Sequence, residues 1–308
     1  MPEQLPYLSG FAVALGDRQA IGDTSDPDVR AEAEALQRAD LRHYRQAEED
    51  LLAMAARCVK QTLGYAGERL PVTAAVYTSD TFTARNPSKA LRTLLAGSGL
   101  DDVDGWVVGG RECDNLYLAV SAAEARLRAD DRRAGVLVVT ADQVTRGTRL
   151  NQDARTVMSD GAASCLVSWD STGPAVRLRA MAALPVSPPA GAPPLMRARH
   201  HVTALRALSD QVFDAAGLHR EQCAKVVTSN VGLNVAQMFR AAVGGRQTAL
   251  YRPAAKDVGH CFSADALHTV GLLLEEPETA VGDIVLVVAT SPHSCSLLLL
   301  EVAGTGPA

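Results

Sequence analysis

The sequence lacks an apolar run of about 18 residues, the length needed to span a membrane as a helix, so no transmembrane segment is expected. It also has little net charge. The formal value of −5 provides no basic surface, so we expect neither nucleic acid nor an anionic membrane as a partner. The amino terminus has no basic start followed by an apolar region, so no secretory signal is expected.

Paired cysteine motifs are missing as well. No Cys-x-x-Cys pair occurs, and the six cysteines are scattered: Cys58, Cys113, Cys165, Cys223, Cys261 and Cys295. This pattern is typical of reduced thiols in a cytoplasmic protein and argues against a disulfide framework or a structural zinc site. We therefore expect a cytoplasmic location, with no metal and no cofactor.

The hydrophobic pattern indicates a globular α/β protein. The chain has 308 residues, of which 47% are hydrophobic and 21% charged, as in ordinary soluble domains. Continuous apolar stretches at 72–78, 135–140 and 282–289 are typical of strands covered on both faces. Amphipathic stretches at 47–63 and 202–216 predict helices. Strands that alternate with helices favour α/β layers with largely parallel sheets.

The two halves of the sequence also resemble each other. Residues 136–139 and 285–288 share the tetrapeptide Val-Leu-Val-Val, in each case shortly after a glycine. This repeat indicates a duplication. We expect an N-terminal half at 1–170 and a C-terminal half at 171–308.

Cys113 is the first candidate for chemistry. It follows a glycine-rich strand end and precedes a helix with apolar residues at Leu116, Val120, Ala123 and Leu127. Unpaired N–H groups and the positive end of the helix dipole gather at such a helix start. Because they favour thiolate over thiol, the position suits a nucleophile.

Two further turns between a strand or loop and a helix carry polar residues, at 229–231 and 259–261. In α/β sheets such turns collect where ligands bind. His260 can take the thiol proton or hold the thiolate, and the amide of Asn230 can donate to an oxyanion or orient the imidazole. The predicted catalytic residues are therefore Cys113, His260 and Asn230.

The order and spacing of these turns resemble the thiolase superfamily, specifically β-ketoacyl-acyl-carrier-protein synthase III. The resemblance covers residues 47–302 and is most specific at residues 112–113, 160–163 and 259–260. It implies a five-layered αβαβα fold made of two duplicated halves, usually as a homodimer. It also implies that Cys113 accepts an acyl group as a thioester, assisted by a histidine and an asparagine from the second half.

The sequence departs from the family pattern in the residues that assist the cysteine. Asn230 stands where the family has its histidine, and His260 stands where it has its asparagine. The glycine-rich turn that donates a backbone N–H to the oxyanion is replaced by Thr-Ser-Pro-His-Ser at 290–294. The segment that grips coenzyme A also differs, near residues 25–45, which favours a carrier protein as the donor.

At this exchanged position, the imidazole of His260 is suited to act as the general base for an incoming hydroxyl or amine. We therefore expect an acyltransferase of secondary metabolism, similar to the ketosynthase-III-like acyltransferases of polyketide tailoring. It would load Cys113 from a carrier-protein or coenzyme A thioester and acylate an alcohol, amine or thiol. Two alternatives stay open: a decarboxylative ketosynthase that forms carbon–carbon bonds, and a catalytically degenerate partner subunit of a ketosynthase.

Other polar residues compete for roles in the site. Asn234 replaces Asn230 if the turn aligns differently, and His293 is a rival imidazole. His200 and His201 do not suggest a metal pair, because adjacent helical residues point about 100° apart and no carboxylate at a suitable spacing accompanies them.

Overall fold

A computed structural model describes residues 4–67, 70–81, 86–130, 134–171 and 173–306. The strands in this part of the chain are β1 (Tyr7–Leu15), β2 (Asp17–Ala20), β3 (His43–Gln46), β4 (Val72–Thr78), β5 (Asp104–Val108), β6 (Gly135–Asp142), β7 (Leu150–Asn151), β8 (Thr156–Val157), β9 (Gly161–Ser168), β10 (Ala175–Pro185), β11 (Cys223–Thr228), β12 (Leu250–Tyr251), β13 (Ile284–Ser291) and β14 (Ser294–Gly304). Ten of them form one mixed sheet, while β2 pairs with β3 and β7 with β8.

The helices are α1 (Pro27–Ala31), α2 (Ala33–Arg38), α3 (Leu51–Ala66), α4 (Pro87–Gly97), α5 (Asn115–Arg128), α6 (Pro194–Ala216), α7 (Leu233–Ala242), α8 (Ala255–Val258) and α9 (Ala264–Glu275). The helix predicted at 47–63 begins at Leu51, because the Asp50 carboxylate caps it by accepting from the N–H groups of Leu52 and Ala53. The helix predicted at 202–216 is longer and begins at Pro194, a residue favoured in a first helical turn.

The sheet topology repeats in the two halves. The first half orders its strands β5-β4-β6-β9-β1, and the second orders them β12-β11-β13-β14-β10. When the five strands of each half are numbered 1 to 5 along the chain, each half has the strand order 3-2-4-5-1. The first three of these strands run parallel, as β4, β5 and β6 and again as β11, β12 and β13. This repeat confirms the predicted duplication.

The two halves of the sheet are joined edge to edge. β1 pairs antiparallel with β10, so that Tyr7 faces Arg177 and Ser9 faces Ala175. The division of the chain at residue 170 stays a prediction, and it falls in the connection between β9 and β10.

The halves of the sheet enclose α5 and α9. Leu116 of α5 and Leu267 of α9 belong to one buried cluster that also contains strand residues of both halves. On the outer faces, α3 and α4 cover the first half, and α6 and α7 cover the second. The layers are therefore helix, sheet, helix, sheet and helix, which confirms the predicted five-layered αβαβα fold.

The described helices are too short or too polar to cross a membrane. Within the same residues, no group of three or more His, Cys, Asp or Glu side chains is arranged to hold a metal ion. All six cysteines are buried and free.

Candidate active site

Cys113 lies in a single 3₁₀ turn, Glu112–Asp114, that leads from β5 into α5. Glu112 has a φ of 53°, in the left-handed region that non-glycine residues seldom adopt, so the chain reverses sharply just before the cysteine. Cys113 exposes 8% of its surface and faces two cavities. This position at the start of a central helix is the one expected from the sequence.

His260 lies between α8 and α9, and its backbone is fixed to the first half of the chain. Its N–H donates to the Val157 carbonyl at 2.9 Å, and its own carbonyl accepts from the N–H of Ser159 at 2.8 Å. The ring Nδ1 donates to Oδ2 of Asp265 at 2.5 Å. The imidazole also interacts with the side chain of Cys113, and each of the two groups shifts the pKa of the other. The imidazole of His260 therefore lies between the carboxylate of Asp265 and the thiol of Cys113.

Asp265 was not among the residues predicted from the sequence. It is fully buried in the first turn of α9 and accepts four hydrogen bonds. One comes from His260, two come from the backbone N–H and Nδ2 of Asn230 at 2.7 and 3.0 Å, and one comes from the backbone N–H of Cys261 at 2.9 Å. The sequence contains one feature that could have indicated Asp265. It is a single carboxylate on the buried face of an apolar helix, five residues after His260.

Asn230 acts on the site through Asp265. Because Asp265 can only accept, its contact with Asn230 fixes the orientation of the amide, with Nδ2 toward the carboxylate. Oδ1 of Asn230 is buried and has no hydrogen-bond partner among the described residues. This geometry supports the orienting role considered for Asn230, in preference to donation to an oxyanion.

The rival residues lie elsewhere. Asn234 is exposed on α7, and His293 is exposed in the turn between β13 and β14. His201, which the sequence excluded as half of a metal pair, lines one of the two cavities beside His260.

Burial and the charge of Asp265 set the protonation of Cys113 and His260. Burial raises the pKa of the Cys113 thiol, and the imidazole of His260 works against that rise. Burial alone would lower the pKa of His260, but the charge of Asp265 and the contact with Cys113 raise it well above its usual range. A proton that leaves the Cys113 sulfur therefore has a basic imidazole nearby to accept it.

A narrow cavity of about 120 Å³ reaches Cys113 between α6 and α7. Its walls include the apolar side chains of Val231, Val235 and Phe239, and His201 lies on the α6 side. An engineered cavity of about 150 Å³ binds benzene, so this space is suited to a slender group of a few heavy atoms.

A wide cavity of about 1360 Å³ also reaches Cys113. Its walls are mainly polar and include Asp80, Gln143 and Arg146. Four residues line both cavities: Cys113, Asn151, Asp153 and Pro292. Cys113 therefore faces two cavities that differ in size and in polarity.

Residues 292–294 leave no backbone N–H free to donate to an oxyanion at Cys113. Pro292 has no N–H. The N–H groups of His293 and Ser294 both donate to Oγ of Ser291, at 3.2 and 3.1 Å, inside the turn itself. The departure that the sequence indicated at this turn is thus visible in its hydrogen bonding.

Neither a family model nor a curated protein sequence matches the chain. Solved structures do match it over nearly their whole lengths. The acyltransferase ChlB3 superposes with a TM-score of 0.79 at 19% identity, covering 98% of this chain and 99% of the other. The 3-oxoacyl-(acyl carrier protein) synthase III of Pseudomonas aeruginosa PAO1 gives a TM-score of 0.80 at 14% identity, covering 98% and 100%.

A third match is the priming β-ketosynthase of the R1128 polyketide biosynthetic pathway, with a TM-score of 0.75 at 16% identity and coverage of 100% and 99%. At such identities the likeness is one of fold. The chain has the thiolase fold of the β-ketoacyl-acyl-carrier-protein synthase III structures, which confirms the resemblance seen in its sequence.

Proposed function

We propose that the protein is an acyltransferase that forms a thioester on Cys113 and passes the acyl group to an alcohol, amine or thiol in secondary metabolism. The observation that carries the proposal is the placement of the His260 imidazole between the carboxylate of Asp265, to which its Nδ1 donates, and the thiol of Cys113, with which it interacts. A nucleophile, a base and a group that orients the base are the elements of nucleophilic acyl transfer.

The steps follow from these contacts. The Cys113 sulfur attacks the carbonyl carbon of a carrier-protein or coenzyme A thioester, and His260 takes the thiol proton. The C–S bond to the carrier breaks, and the proton passes to the departing thiolate. An acceptor X–H then attacks the new thioester and gives its proton to His260. When the C–S bond to Cys113 breaks, that proton returns to the sulfur, so the enzyme is restored.

The site is better suited to acyl transfer than to decarboxylative condensation. Condensation needs donors aimed at a thioester carbonyl that becomes an enolate. Here the Nδ2 group of Asn230 donates to Asp265, and His260 is oriented by the same carboxylate as a base. A ketosynthase activity is nevertheless the second candidate, because the superposed structures include a 3-oxoacyl-(acyl carrier protein) synthase III and a priming β-ketosynthase.

A degenerate partner subunit is the third candidate. Such a subunit has no need for a buried imidazole held between a carboxylate and a thiol. The full set of Cys113, His260 and Asp265 therefore favours an active enzyme. A cytoplasmic location, assembly as a homodimer and preference for a carrier protein over coenzyme A stay predictions.

Intact-mass spectrometry tests the proposal. We expect acetyl-pantetheine and acetyl-coenzyme A to add one acetyl group to the protein, and the peptide that contains Cys113 to carry it. Cys113→Ala should remove the adduct. Cys223→Ala, which changes another buried cysteine away from both cavities, should retain it.

The outcomes separate the three candidates. Loss of the adduct on addition of amines, alcohols or thiols, with formation of the acylated product, supports transfer. Release of CO₂ from a malonyl thioester with formation of a carbon–carbon bond would instead support condensation. A wild-type protein that gains no acetyl group from either donor would support the inactive subunit.

A further inference from the structure

The wall of the wide cavity carries two carboxylates beside the nucleophile, those of Asp80 and Glu112. Asp80 comes shortly after β4, and Glu112 comes shortly after β5, directly before Cys113. β4 and β5 are neighbouring parallel strands, with Thr78 paired to Val108, so their carboxyl ends share one edge of the sheet. The topology therefore brings both carboxylates to the edge where Cys113 lies.

Neither carboxylate is paired within the part of the chain that the structure describes. The N–H of Asp80 donates to Oδ1 of Asp142 at 2.6 Å. The carbonyl of Glu112 accepts from Oγ of Ser263 at 3.4 Å. The side chains of Asp80 and Glu112 themselves form no hydrogen bond and no ion pair with a described residue. Their backbones are held, and their carboxylates are left free at the cavity wall.

Two other charged side chains line the wide cavity, and neither neutralises this pair. Asp153 is itself paired with Arg197 at 2.5 Å, so those two charges offset each other. Arg146 lines the cavity as well, but it is not among the charges that act on Asp80. The end of the cavity at the nucleophile therefore keeps an uncompensated negative charge.

The two carboxylates disturb each other and the thiol. Partial burial and the charge of Glu112 raise the pKa of the Asp80 carboxyl, whereas His260 lowers it. Burial raises the pKa of the Cys113 thiol, and the charge of Asp80 adds to that rise. Two repelling carboxylates thus lie near a thiol that ionises in the proposed reaction. A cation bound beside them would relieve both effects, because an opposite charge stabilises the ionised carboxylate.

Cys113 identifies the same cavity as a place for the substrate, independently of the carboxylates. The cysteine exposes 8% of its surface and lines this cavity. The space of about 1360 Å³ is ample for a small-molecule ligand. Thr81 and Gln143 offer uncharged hydrogen-bonding groups along its wall. A charged substituent of a substrate at Cys113 therefore meets anionic partners there.

We propose that the wide cavity binds an ammonium group of the substrate at Asp80 and Glu112, and that these carboxylates select cationic substrates for Cys113. The inference rests on the proposed acyl transfer and specifies its class of substrate. The ammonium belongs either to the acyl group or to the acceptor. In both cases it is a substituent that is held and does not react, so the covalent steps are those given above.

A pair of thiol reagents tests the charge preference without any acyl transfer. Aminoethyl methanethiosulfonate carries an ammonium, and propyl methanethiosulfonate has a methyl group in its place. Each transfers its alkylthio group to the Cys113 sulfur, so that a disulfide forms, methanesulfinate leaves and the thiol proton is released. The measured quantity is the ratio of the two rates, cationic over neutral. Cys113→Ala gives the background from the other cysteines.

Removal of either charge should lower this ratio. We expect a decrease of about fivefold in Asp80→Asn and in Glu112→Gln, the effect of one close charge–charge contact that water still reaches. Asp102→Asn makes the same change of charge at an exposed position before β5, away from the cavity, and should leave the ratio at the wild-type value. A ratio that is the same in wild type, Asp80→Asn and Glu112→Gln would overturn the inference.

Two pairs of substrates show where the ammonium belongs. For the acyl group, acylation of Cys113 by β-alanyl-pantetheine is compared with acylation by butyryl-pantetheine, which has a methyl group in place of the ammonium. For the acceptor, acetyl-Cys113 is treated with cysteamine or with 1-propanethiol, and intact mass follows the loss of acetyl. The pair whose cationic preference falls about fivefold in Asp80→Asn identifies the half-reaction. No fall in either pair would contradict the selection of cationic substrates.

The two kinds of measurement separate this inference from the proposed function. A wild-type protein that forms no acyl-Cys113, but whose thiosulfonate ratio falls in Asp80→Asn, would refute the acyl transfer and support the cation site. A protein that is acylated normally, but whose thiosulfonate ratio is unchanged in both variants, would support the acyl transfer and refute the cation site.

Discussion

At the residue scale, the carboxylate of Asp265 sets the behaviour of His260. It accepts from Nδ1, so the second nitrogen is left for Cys113, and its charge stabilises the imidazolium that forms when a proton arrives. It also accepts from Asn230 and Cys261, so its own position is fixed by three further donors. One buried carboxylate therefore orients the base and raises its pKa.

Asp265→Asn should slow transfer from acetyl-Cys113 by about 10² to 10⁴, because the base loses its orientation and its charge partner. The pH dependence should change as well. His260 acts as a base only when neutral, so transfer rises with pH through its pKa. Without the Asp265 charge that pKa falls, and the rise should move to lower pH. Single-turnover deacylation across pH measures both effects.

Asp210→Asn is the control for this change, because Asp210 pairs with Arg220 at the surface. It should leave both the rate and the pH profile at their wild-type values. An Asp265→Asn protein with a wild-type profile would show that His260 does not depend on this carboxylate.

The sequence predicted Cys113, His260 and Asn230 because each lies in a turn next to a helix start. Asp265 could not be found in the same way. It lies within a helix, and its importance depends on the partners that the fold brings to it. Its contacts with Asn230 join residues 35 positions apart. Local spacing holds no information about such a pair.

At the element scale, the turn that carries Cys113 is fastened to the second half of the chain by Asp114. This buried carboxylate accepts from Nε of Arg111 at 2.9 Å, from Oγ of Ser294 at 2.8 Å, and from Oγ of Ser296. The Arg111 guanidinium also donates to the carbonyl of Cys295 at 3.1 Å. The start of α5 is thus held against β14.

Asp114→Ala should lower the free energy of unfolding by about 3 kcal/mol, because it leaves the largely buried Arg111 without its carboxylate. Urea denaturation measures the loss. Glu124→Ala on the same helix removes a surface pair with Arg128 and should cost about 0.5 kcal/mol. Equal losses in the two variants would contradict a special role for the buried contact.

The elements themselves were partly predictable. The runs at 72–78, 135–140 and 282–289 correspond to β4, β6 and β13, strands that are buried because helices cover both faces. The polar stretch at about 10–40 gave no clear signal, although β1, a strand of the main sheet, extends into it. β1 is flanked by β9 and β10, so its environment is created by strands that occur more than 140 residues later.

At the scale of the whole molecule, the proposed active site lies where the two halves of the sheet meet. Cys113 comes from the first half, and His260 and Asp265 come from the second. The backbone of His260 is bonded to Val157 and Ser159 of the first half, so the same contacts that join the halves align the imidazole with the sulfur. The duplication was readable in the sequence as a repeated tetrapeptide, but the joining of the two sheets through β1 and β10 was not.

The stability of the whole molecule should depend on pH through Asp142, at the end of β6. Burial raises the pKa of this carboxyl to about 7, and the charge of Asp80 adds to the rise, while hydrogen bonds from the N–H groups of Asp80 and Thr81 oppose it. The folded protein therefore binds this proton more tightly than the unfolded chain does. The resulting stability is present at low pH and is lost as pH rises through the folded pKa.

Asp142→Asn removes this titration and keeps an oxygen that can accept from Oγ of Ser79 and from the N–H groups of Asp80 and Thr81. Between pH 5 and pH 8, the wild-type protein should lose about 2 to 3 kcal/mol of unfolding free energy relative to this variant. Urea denaturation of both proteins at the two pH values measures the difference. Asp102→Asn, at an exposed position, should show no such change relative to wild type. If the difference between wild type and Asp142→Asn is the same at both pH values, Asp142 is ionised in the folded protein throughout this range, and the donors around it outweigh its burial.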